Sequence, residues 1–510
     1  MTSPSATATR RGDFVSFALA RATIVIGGFS FANLAVGLVR GKVSALLLGA
    51  AGVGVLSQAN NFVQAAAVLC TLGFAAGITN RLAAHAKKNP NQIGFSVAST
   101  AFTVQLIATA VFILFAVVLF RSLYFVVFAT PGVEWSFLLI VIALPLVVMP
   151  VGVVDPVFFG VGRYDLYTKA AVTSVMLSLP PFLVLSYFWG LNGAMVSTVV
   201  AAALKLFAFL HYSKRLGPVG RLFHFQIDVA AMRHLFGFGW TTFIVAVAAG
   251  VVSLFIRSKI LHDLGATENG LYQVPVAFSA YCAPFLTNGL WGHLYPYVSG
   301  RSAPEVQLEV QRALRMNIVT ATILVFGFLL LQEWAIALVF SQEFVAAARF
   351  LPIQLFGDVF YFPAFTLTIV LLGLGRLKEY VGVWLGYHLL QGGLLFVLLP
   401  MFGLAGAALG YTISALVFLV LAWSAYTIQT EGPTMGADVR WLLGTSATLL
   451  FAEVVITLVW STHWWLRLIP LACWLSFMTR RPESTELLAW SISRAEQLRR
   501  KFERRGHTPR

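Results

Sequence analysis

The 510-residue sequence is dominated by apolar side chains, since the residues A, V, I, L, M, F, W, Y and C make up 59% of it and charged residues only 11%. Soluble domains carry about 25% charged residues, so a soluble globular protein is excluded. The alternating segments of about ten residues that form membrane β-barrels are missing. The sequence therefore predicts an all-α polytopic membrane protein.

The net charge of +15 does not indicate a nucleic-acid partner. Most Lys and Arg residues stand in short connectors and at the two ends of the chain rather than along one amphipathic face. The cysteines, Cys70, Cys282 and Cys473, are scattered without the spacing of metal ligands or of a disulfide framework. They are interpreted as small packing residues, and no metal site is predicted.

Apolar runs recur along nearly the whole chain, and each reaches with its flanks the roughly twenty residues that a helix needs to cross a bilayer. Charged residues, Gly and Pro mark the connectors. They predict about fourteen spans, at 16–43, 54–80, 94–119, 136–160, 167–188, 192–212, 238–262, 270–297, 316–339, 351–373, 379–399, 404–428, 441–460 and 465–479.

Alternate connectors differ in their content of Lys and Arg, which are retained on the cytoplasmic side of a membrane. The cation-rich set contains the connectors around Arg163 and Arg376, and the basic N-terminus belongs to the same side. Both termini of this multi-pass protein are therefore predicted to be cytoplasmic. The basic tail 480–510 is expected on the anionic inner leaflet, or serves only as a topology anchor.

An internal repeat is visible in the glycine motifs. Gly160-Val-Gly-Arg163 recurs as Gly373-Leu-Gly-Arg376, and Gly190-Leu-Asn-Gly-Ala194 recurs as Gly403-Leu-Ala-Gly-Ala407, both at an offset of 213 in the numbering. Leu48-Gly-Ala50 recurs as Leu264-Gly-Ala266, at an offset of 216. Each unit holds six predicted spans, so both copies enter the membrane in the same direction. Two parallel six-helix lobes with a central cleft are expected, followed by an appended helix pair.

The predicted spans and the internal repeat divide the chain into six parts. The expected parts are a cytoplasmic N-terminal tail (1–13), an N-lobe (14–215), a cytoplasmic linker (216–237), a C-lobe (238–428), the appended helices (429–479) and a basic cytoplasmic tail (480–510).

Charged groups inside spans are costly and are therefore functional candidates. The first span carries Arg40 and Lys42, and the seventh carries Arg257 and Lys259, both as an R-x-K pair shortly before the Leu-Gly-Ala motif. If these faces turn toward the cleft, four cations converge there and can bind a diphosphate. Snorkelling to the outer headgroups is the alternative. Lys205 in the sixth span is either a further cleft cation or a snorkelling lysine.

Acids inside the spans are fewer. Asp155 precedes Pro156 in the fourth span, and Asp358 follows Gly357 in the tenth. Either can couple transport to an ion, H+ or Na+, because a carboxylate held out of water is a common coupling device. For Asp155 the alternative is helix-end capping beside a proline kink. Asp358 is the stronger candidate.

Two sets of polar side chains can contact sugar hydroxyls. In the second span, Gln58, Asn61 and Gln64 are spaced by three and are expected on one helical face. In the eighth span the candidates are Tyr272, Gln273 and Asn288. For the three residues of the second span, hydrogen bonding between helices is the alternative. The P-loop, the H-E-x-x-H motif and a dinucleotide fingerprint are missing, so neither an enzyme nor a cofactor is predicted.

The order and spacing of several motifs resemble Wzx-type flippases. These motifs include Leu48-Gly-Ala-Ala-Gly-Val-Gly54, Gly270-Leu-Tyr-Gln273 and Gln354-Leu-Phe-Gly-Asp358. The most similar members are the O-antigen and enterobacterial-common-antigen translocases of the multidrug/oligosaccharidyl-lipid/polysaccharide exporter superfamily. The likeness covers about residues 14–428.

The resemblance implies that an undecaprenyl-diphosphate-linked oligosaccharide crosses from the inner to the outer leaflet by alternating access, driven by an ion or the membrane potential. It also implies a role in lipopolysaccharide or exopolysaccharide biosynthesis, with the polymerase and chain-length proteins of the same pathway as partners. Ala280 departs from the family, which carries an acid in the eighth span, and so does the final helix pair. The coupling ion and the glycan therefore stay open.

Three other functions are weighed against this one. A lipid II flippase would differ mainly in its glycan. A multidrug or cation antiporter would need acids in the cleft, where candidate bases outnumber them. A polyprenyl-glycan glycosyltransferase or ligase would need a large exposed loop with catalytic acids, and the connectors are too short for one. A scaffold would have no need of charges inside its spans.

Overall fold

The computed structural model describes residues 5–88, 95–128, 133–217, 219–299, 301–430, 436–459 and 464–479. The predicted basic tail 480–510 and the first four residues of the N-terminal tail lie outside these ranges. Within them the chain is helical, without a strand, as predicted. The helices are α1 (Ser5–Thr71), α2 (Ala75–Lys88), α3 (Ser96–Val118), α4 (Phe120–Phe128), α5 (Glu134–Gly160), α6 (Tyr164–Ser213), α7 (Val229–Leu264), α8 (Ala266–Gly289), α9 (Tyr295–Val298), α10 (Ala303–Leu330), α11 (Gln332–Val339), α12 (Leu351–Gly373), α13 (Leu377–Phe402), α14 (Leu404–Thr430), α15 (Ala437–Val459) and α16 (Leu468–Thr479).

Ten stretches in the described ranges are long and apolar enough to cross a membrane. Two of them, Ser30–Thr71 and Tyr164–Leu216, have 42 and 53 residues, about twice the length that one crossing needs. Each contains a glycine at positive φ, Gly49 or Gly190. A multi-pass membrane protein is thus confirmed, whereas the number fourteen stays a prediction.

The chain turns back on itself at Gly190 and again at Gly403, where α13 gives way to α14. A Cβ atom added to Gly193 would lie 1.8 Å from the carbonyl oxygen of Leu185, which precedes it by about two helical turns. One added to Gly406 would lie 2.0 Å from that of Leu398. Continuous helix would separate such residues by about 12 Å, so both places are tight helical hairpins, and glycine is the residue that fits there.

The repeat in the sequence is also a repeat in the structure. The turn between α5 and α6 has Gly162 at φ +73°, and the turn between α12 and α13 has Gly375 at φ +74°. The backbone N–H of Arg163 donates to the oxygen of Phe158 over 2.9 Å, and that of Arg376 donates to Leu371 over 2.9 Å. All of these pairs share the offset of 213 seen in the sequence. Below, the first copy means α1–α6 and the second copy α7–α14.

The two copies meet where each begins its second predicted span. A Cβ added to Gly54 would lie 2.1 Å from the carbonyl oxygen of Ala266, and one added to Gly270 would lie 1.9 Å from that of Ala50. Both offsets are 216, so this is one contact made twice with the copies exchanged. We call it the glycine contact, and it holds the copies together at the end of the bundle marked by Gly49.

Two short helices close the same end. On α11, the carbonyl oxygen of Ala337 accepts from Lys42 Nζ over 2.8 Å. On α4, the carbonyl oxygen of Val126 accepts from the Ser258 hydroxyl and lies 3.3 Å from His262 Nε2. A short helix of each copy therefore accepts hydrogen bonds from the first long helix of the other copy, α11 from α1 and α4 from α7. In addition, the residue Glu343 follows α11 in the chain, and its Oε1 atom accepts from the backbone N–H of Ala50 over 3.1 Å.

Candidate functional site

A cavity of about 240 Å³ lies between the two copies. Its walls come from α1 on both sides of Gly49, from α6 on both sides of Gly190, and from α8, with Phe340 following α11. The apolar part of the wall includes Leu56 and Phe182. The uncharged polar side chains that line it are Ser44, Ser57, Asn60, Ser197, Thr198, Gln273 and Tyr281.

Arg40 supplies the charge of this cavity, because the other lining residues are uncharged and include no carboxylate. Its Nη2 atom donates to the carbonyl oxygen of Ser178 over 2.9 Å. The guanidinium carbon lies 5.2 Å from the ring centre of Phe182, a distance typical of a cation–π contact. One hydrogen bond and one ring hold the guanidinium, Nε is buried, and the remaining N–H groups of Nη1 and Nη2 are left for a ligand.

Arg257 lies one side chain behind the same wall. It is 3% exposed, its Nη1 atom donates to Ser57 Oγ over 2.8 Å, and its Nη2 atom donates to Gln273 Oε1. Its guanidinium carbon is 5.4 Å from the ring centre of Tyr272. The two residues that accept from it line the cavity, and Arg257 itself does not.

The expected convergence of four cations is wrong for this structure. Lys42 Nζ donates to the carbonyl oxygen of Ala337, and Lys259 pairs with Asp263 one turn along α7. The R-x-K pairs recur at an offset of 217, from Arg40 to Arg257, whereas the neighbouring glycine motifs recur at 216. A shift of one position turns a helical side chain by about 100°, so the pairs cannot share a direction.

Lys205 and Asp155 pair with each other away from the cavity. Lys205 Nζ lies 3.9 Å from Asp155 Oδ2, and the lysine side chain is 45% exposed. The ammonium nitrogen is also 5.4 Å from the ring centre of Phe209. Such a half-exposed pair contributes at most about 1 kcal/mol to stability. Neither residue is among those that line the cavity.

Asp358 lies deep in the second copy, on α12. It is 1% exposed, and its Oδ1 atom accepts from the Tyr411 hydroxyl over 2.6 Å. Its second oxygen, Oδ2, is buried without a hydrogen bond in the described part of the chain. A buried carboxylate that is only half satisfied is costly. This residue therefore matches the expectation for a functional acid, although it does not line the cavity.

The polar candidates of the second span face different directions. Gln58 is buried, and its Nε2 atom donates to the carbonyl oxygen of Val127 over 3.0 Å. Asn61 is half-buried and Gln64 is exposed. Three-residue steps drift by about 60° each on a helix, so the first and last side chains are about 120° apart. Asn60, which the spacing argument missed, is the one that lines the cavity.

The eighth-span candidates also separate. Gln273 lines the cavity, while Tyr272 is buried against Arg257. Asn288 Nδ2 donates to Ser30 Oγ over 2.9 Å and thus joins α8 to α1. Tyr281, one turn from Ala277 on the same helix, is a polar aromatic residue of the eighth span that also lines the cavity. The one-turn spacing of Gln273, Ala277 and Tyr281 puts them on one face of the helix.

A buried charge on α15 was also missed. Glu453 is fully buried, and neither carboxylate oxygen has a hydrogen bond within the described ranges. Arg467, which is 4% exposed, interacts with it electrostatically. An acid inside the apolar run 441–460 was visible in the sequence. Elsewhere, no three His, Cys, Asp or Glu side chains of the described residues lie close enough to bind a metal ion.

A family model for polysaccharide biosynthesis proteins matches residues 19–301, more than half of the chain. The chain belongs to this family. Among curated proteins, the lipid III flippases of Escherichia coli (strain K12) and Shigella flexneri are each 22% identical over 428 residues, covering 80% of this chain and 98% of the relative. These matches confirm the resemblance to Wzx-type flippases and the prediction of a transporter rather than an enzyme.

Several solved structures have a similar fold. A multidrug resistance MATE family transporter in an inward-facing conformation has a TM-score of 0.63, with 15% identity and coverage of 82% of this chain and 96% of that one. The lipid II flippase MurJ in an inward closed conformation has a TM-score of 0.63, with 12% identity and coverage of 89% and 98%. At such identities the likeness establishes the fold alone.

Proposed function

We propose that this protein is a flippase that moves an undecaprenyl-diphosphate-linked oligosaccharide from the inner to the outer leaflet of the bacterial cytoplasmic membrane. The observation that supports this most directly is the cavity between the two copies, with the guanidinium of Arg40 and no lining carboxylate. Arginine binds a phosphate group with two parallel hydrogen bonds. A cavity of this polarity favours an anionic headgroup and disfavours the cations that a multidrug antiporter would carry.

The size of the cavity indicates which part of the substrate it binds. At about 240 Å³ it is smaller than the roughly 300–1,000 Å³ of pockets for drug-sized ligands. It suits a diphosphate, so the sugars must extend beyond it. Asn60 lies on the wall, and Gln64, one turn further along α1, is exposed. In the proposal these two amides contact the first sugars.

The arrangement of the two copies supports a proposal of alternating access. Lys and Arg content assigns the end marked by Gly49 to the outer side and both termini to the cytoplasm. The glycine contact and the short helices α4 and α11 then close the outer side of the cavity. In this proposal the substrate enters from the cytoplasmic side, and the copies separate at the glycine contact to release it outward.

Ion coupling is assigned to Asp358. Its carboxylate is buried in the second copy, with Tyr411 on one oxygen and the other oxygen unsatisfied within the described residues. Uptake of H+ or Na+ would satisfy that oxygen and change the packing between α12 and α14. Asp155 is the weaker candidate because Lys205 already offsets its charge.

The test is to express Arg40→Ala and Arg40→Lys variants in cells whose own lipid-linked-glycan flippase is deleted. Arg40→Ala should abolish surface glycan and accumulate lipid-linked precursor in the inner leaflet, with normal amounts of folded protein in the membrane. Arg40→Lys should retain part of the export, because it keeps the charge and loses the bidentate contact. Normal export by Arg40→Ala would contradict the proposal.

A further inference from the structure

The orientation of the Gln273 side chain is fixed by its neighbour. An amide oxygen and an amide nitrogen can exchange places by a flip, and the hydrogen-bond network decides between them. Arg257 has only donors, so the atom of Gln273 that it contacts must be the oxygen. The oxygen therefore points to Arg257 behind the wall, and the NH2 group is left for the cavity that Gln273 lines.

The same arrangement uses the proton of Ser57 and one of the two lone pairs of its hydroxyl oxygen. Its hydroxyl oxygen accepts from Arg257 over 2.8 Å, and its proton is donated to the carbonyl oxygen of Gly54 over 2.9 Å. It therefore offers little to a ligand. Arg257 binds two acceptors at the wall and removes both from the surface of the cavity.

Arg40 and Gln273 therefore present donors to the cavity, whereas the lining hydroxyls of Ser197 and Thr198 donate to the carbonyl oxygen of Ala194 and offer only oxygen. Arg40 contributes the N–H groups that it does not use on Ser178, and Gln273 contributes its amide N–H groups from α8, on the other copy. A diphosphate has only acceptors at neutral pH, so it matches both. A hydroxyl oxygen can accept from these N–H groups too, but it is uncharged, so its hydrogen bonds are weaker than those of the ionised oxygens of a diphosphate.

We infer that Arg257 is a positioning residue, which locks Gln273 as a hydrogen-bond donor and so makes the cavity selective for a diphosphate. Arg40 and Gln273 contact the anion from opposite copies, and Arg257 acts through Gln273 without touching the ligand. This inference rests on the proposed function of the same cavity and reassigns Arg257 from ligand to support.

The decisive variant is Gln273→Glu, which replaces one NH2 group by an oxygen at unchanged shape. Its carboxylate can still accept from Arg257, so the thermal midpoint of the purified full-length protein should stay within a few degrees. Farnesyl diphosphate, used as a soluble probe, should bind about tenfold more weakly or worse, while farnesol should bind unchanged. Gln226→Glu, on an exposed side chain before α7, is the matched control and should bind both probes as the wild type does.

Variants of Arg257 separate positioning from a purely structural role. Arg257→Met should weaken farnesyl diphosphate binding, and Arg257→Lys should restore most of it. In a Gln273→Ala background, exchanging Arg257 for Met should make no further difference, since the group it positions is gone. Equal binding by Gln273→Glu and the wild type, or additive effects of residues 257 and 273, would overturn the inference.

Failure of the proposed function gives a different pattern. If the protein is not a flippase, the wild type itself fails to restore surface glycan to the flippase-deleted cells, whatever the probe affinities are. If only the inference fails, Arg40→Ala abolishes export and Gln273→Glu binds farnesyl diphosphate as tightly as the wild type does.

Discussion

Gly54 and Gly270 occupy matched positions in the two copies, and each lies against a backbone carbonyl oxygen of the other copy. The partner oxygens belong to Ala266 and Ala50. A Cβ atom at Gly54 would lie 2.1 Å from its oxygen, and one at Gly270 would lie 1.9 Å from its own, far inside van der Waals contact. Because the obstacle is backbone and not a flexible side chain, only a shift of one copy against the other can relieve it.

Gly54→Ala and Gly270→Ala should therefore each weaken the closed arrangement at the outer end. Overpacking of this kind costs about 1–3 kcal/mol, so the thermal midpoint should fall. Cysteines placed at the two sides of the contact should also cross-link less efficiently. Gly327→Ala on α10, where a Cβ meets nothing within 4 Å, is the control. An unchanged midpoint in both variants would show that the glycine contact is not closed in the membrane.

Lys42 should stabilise the contact between α1 and α11 and should not contact the substrate. Its ammonium group donates to the Ala337 carbonyl at the end of α11, so Lys42→Met loses that bond, worth about 1–3 kcal/mol. We expect faster hydrogen exchange of the backbone amides of 332–349 and farnesyl diphosphate affinity within about twofold of the wild type. A loss of affinity comparable to that of Arg40→Ala would instead place Lys42 at the substrate.

Asp358 and Tyr411 should act together. Asp358→Asn keeps the shape and removes the titratable group, so export should fail while the amount of folded protein stays normal. Tyr411→Phe leaves the carboxylate without its hydrogen bond and should lower the thermal midpoint by an amount equivalent to about 1–3 kcal/mol. Asp155→Asn, which removes only a half-exposed ion pair, provides the comparison. Full transport by Asp358→Asn would remove this residue from the coupling mechanism.

The effects of substitutions at Glu453 and Arg467 on thermal stability should depend strongly on each other. Both are buried where the appended helices meet the rest of the protein, and Arg467 Nη1 lies 3.5 Å from the carbonyl oxygen of Leu329. Arg467→Met leaves an uncompensated carboxylate, which typically costs about 3–5 kcal/mol. Adding Glu453→Leu should recover most of the lost thermal stability. Equal midpoints for the single and double variants would mean that the two charges do not interact in the folded protein.

The glycine motifs carried most of the information about the fold. Their offsets of 213 and 216 predicted the repeat, and the structure matches it down to single hydrogen bonds at Arg163 and Arg376. Positive φ and close backbone approach leave no other residue type at such positions, so they are readable without a structure. The same local constraint explains why the hairpin at Gly190 has a counterpart at Gly403.

The candidate site was only partly predictable. Arg40 and Gln273 were identified, because a cation and an amide inside spans are rare enough to notice. The directions of the Arg257 and Gln58 side chains were not predicted. A shift of one residue changes the direction of a helical side chain by about 100°, and steps that add up to six residues change it by about 120°. Pairings such as Lys42 with Ala337 depend on tertiary contacts between distant segments, about which residue spacing is silent.

Residues at equivalent positions in the two copies differ in chemical type. In the register of the Leu-Gly-Ala motifs the counterpart of Arg40 is the buried Ile256, and in the register of the Gly-x-Gly-Arg motifs the counterpart of Asp358 is Pro145. The first copy thus supplies the cavity cation and the second supplies the buried acid. A chimera built from two first copies would contain Arg40 twice but would lack Gln273, Arg257 and Asp358, so it would lose one half of the proposed anion site together with the proposed coupling group.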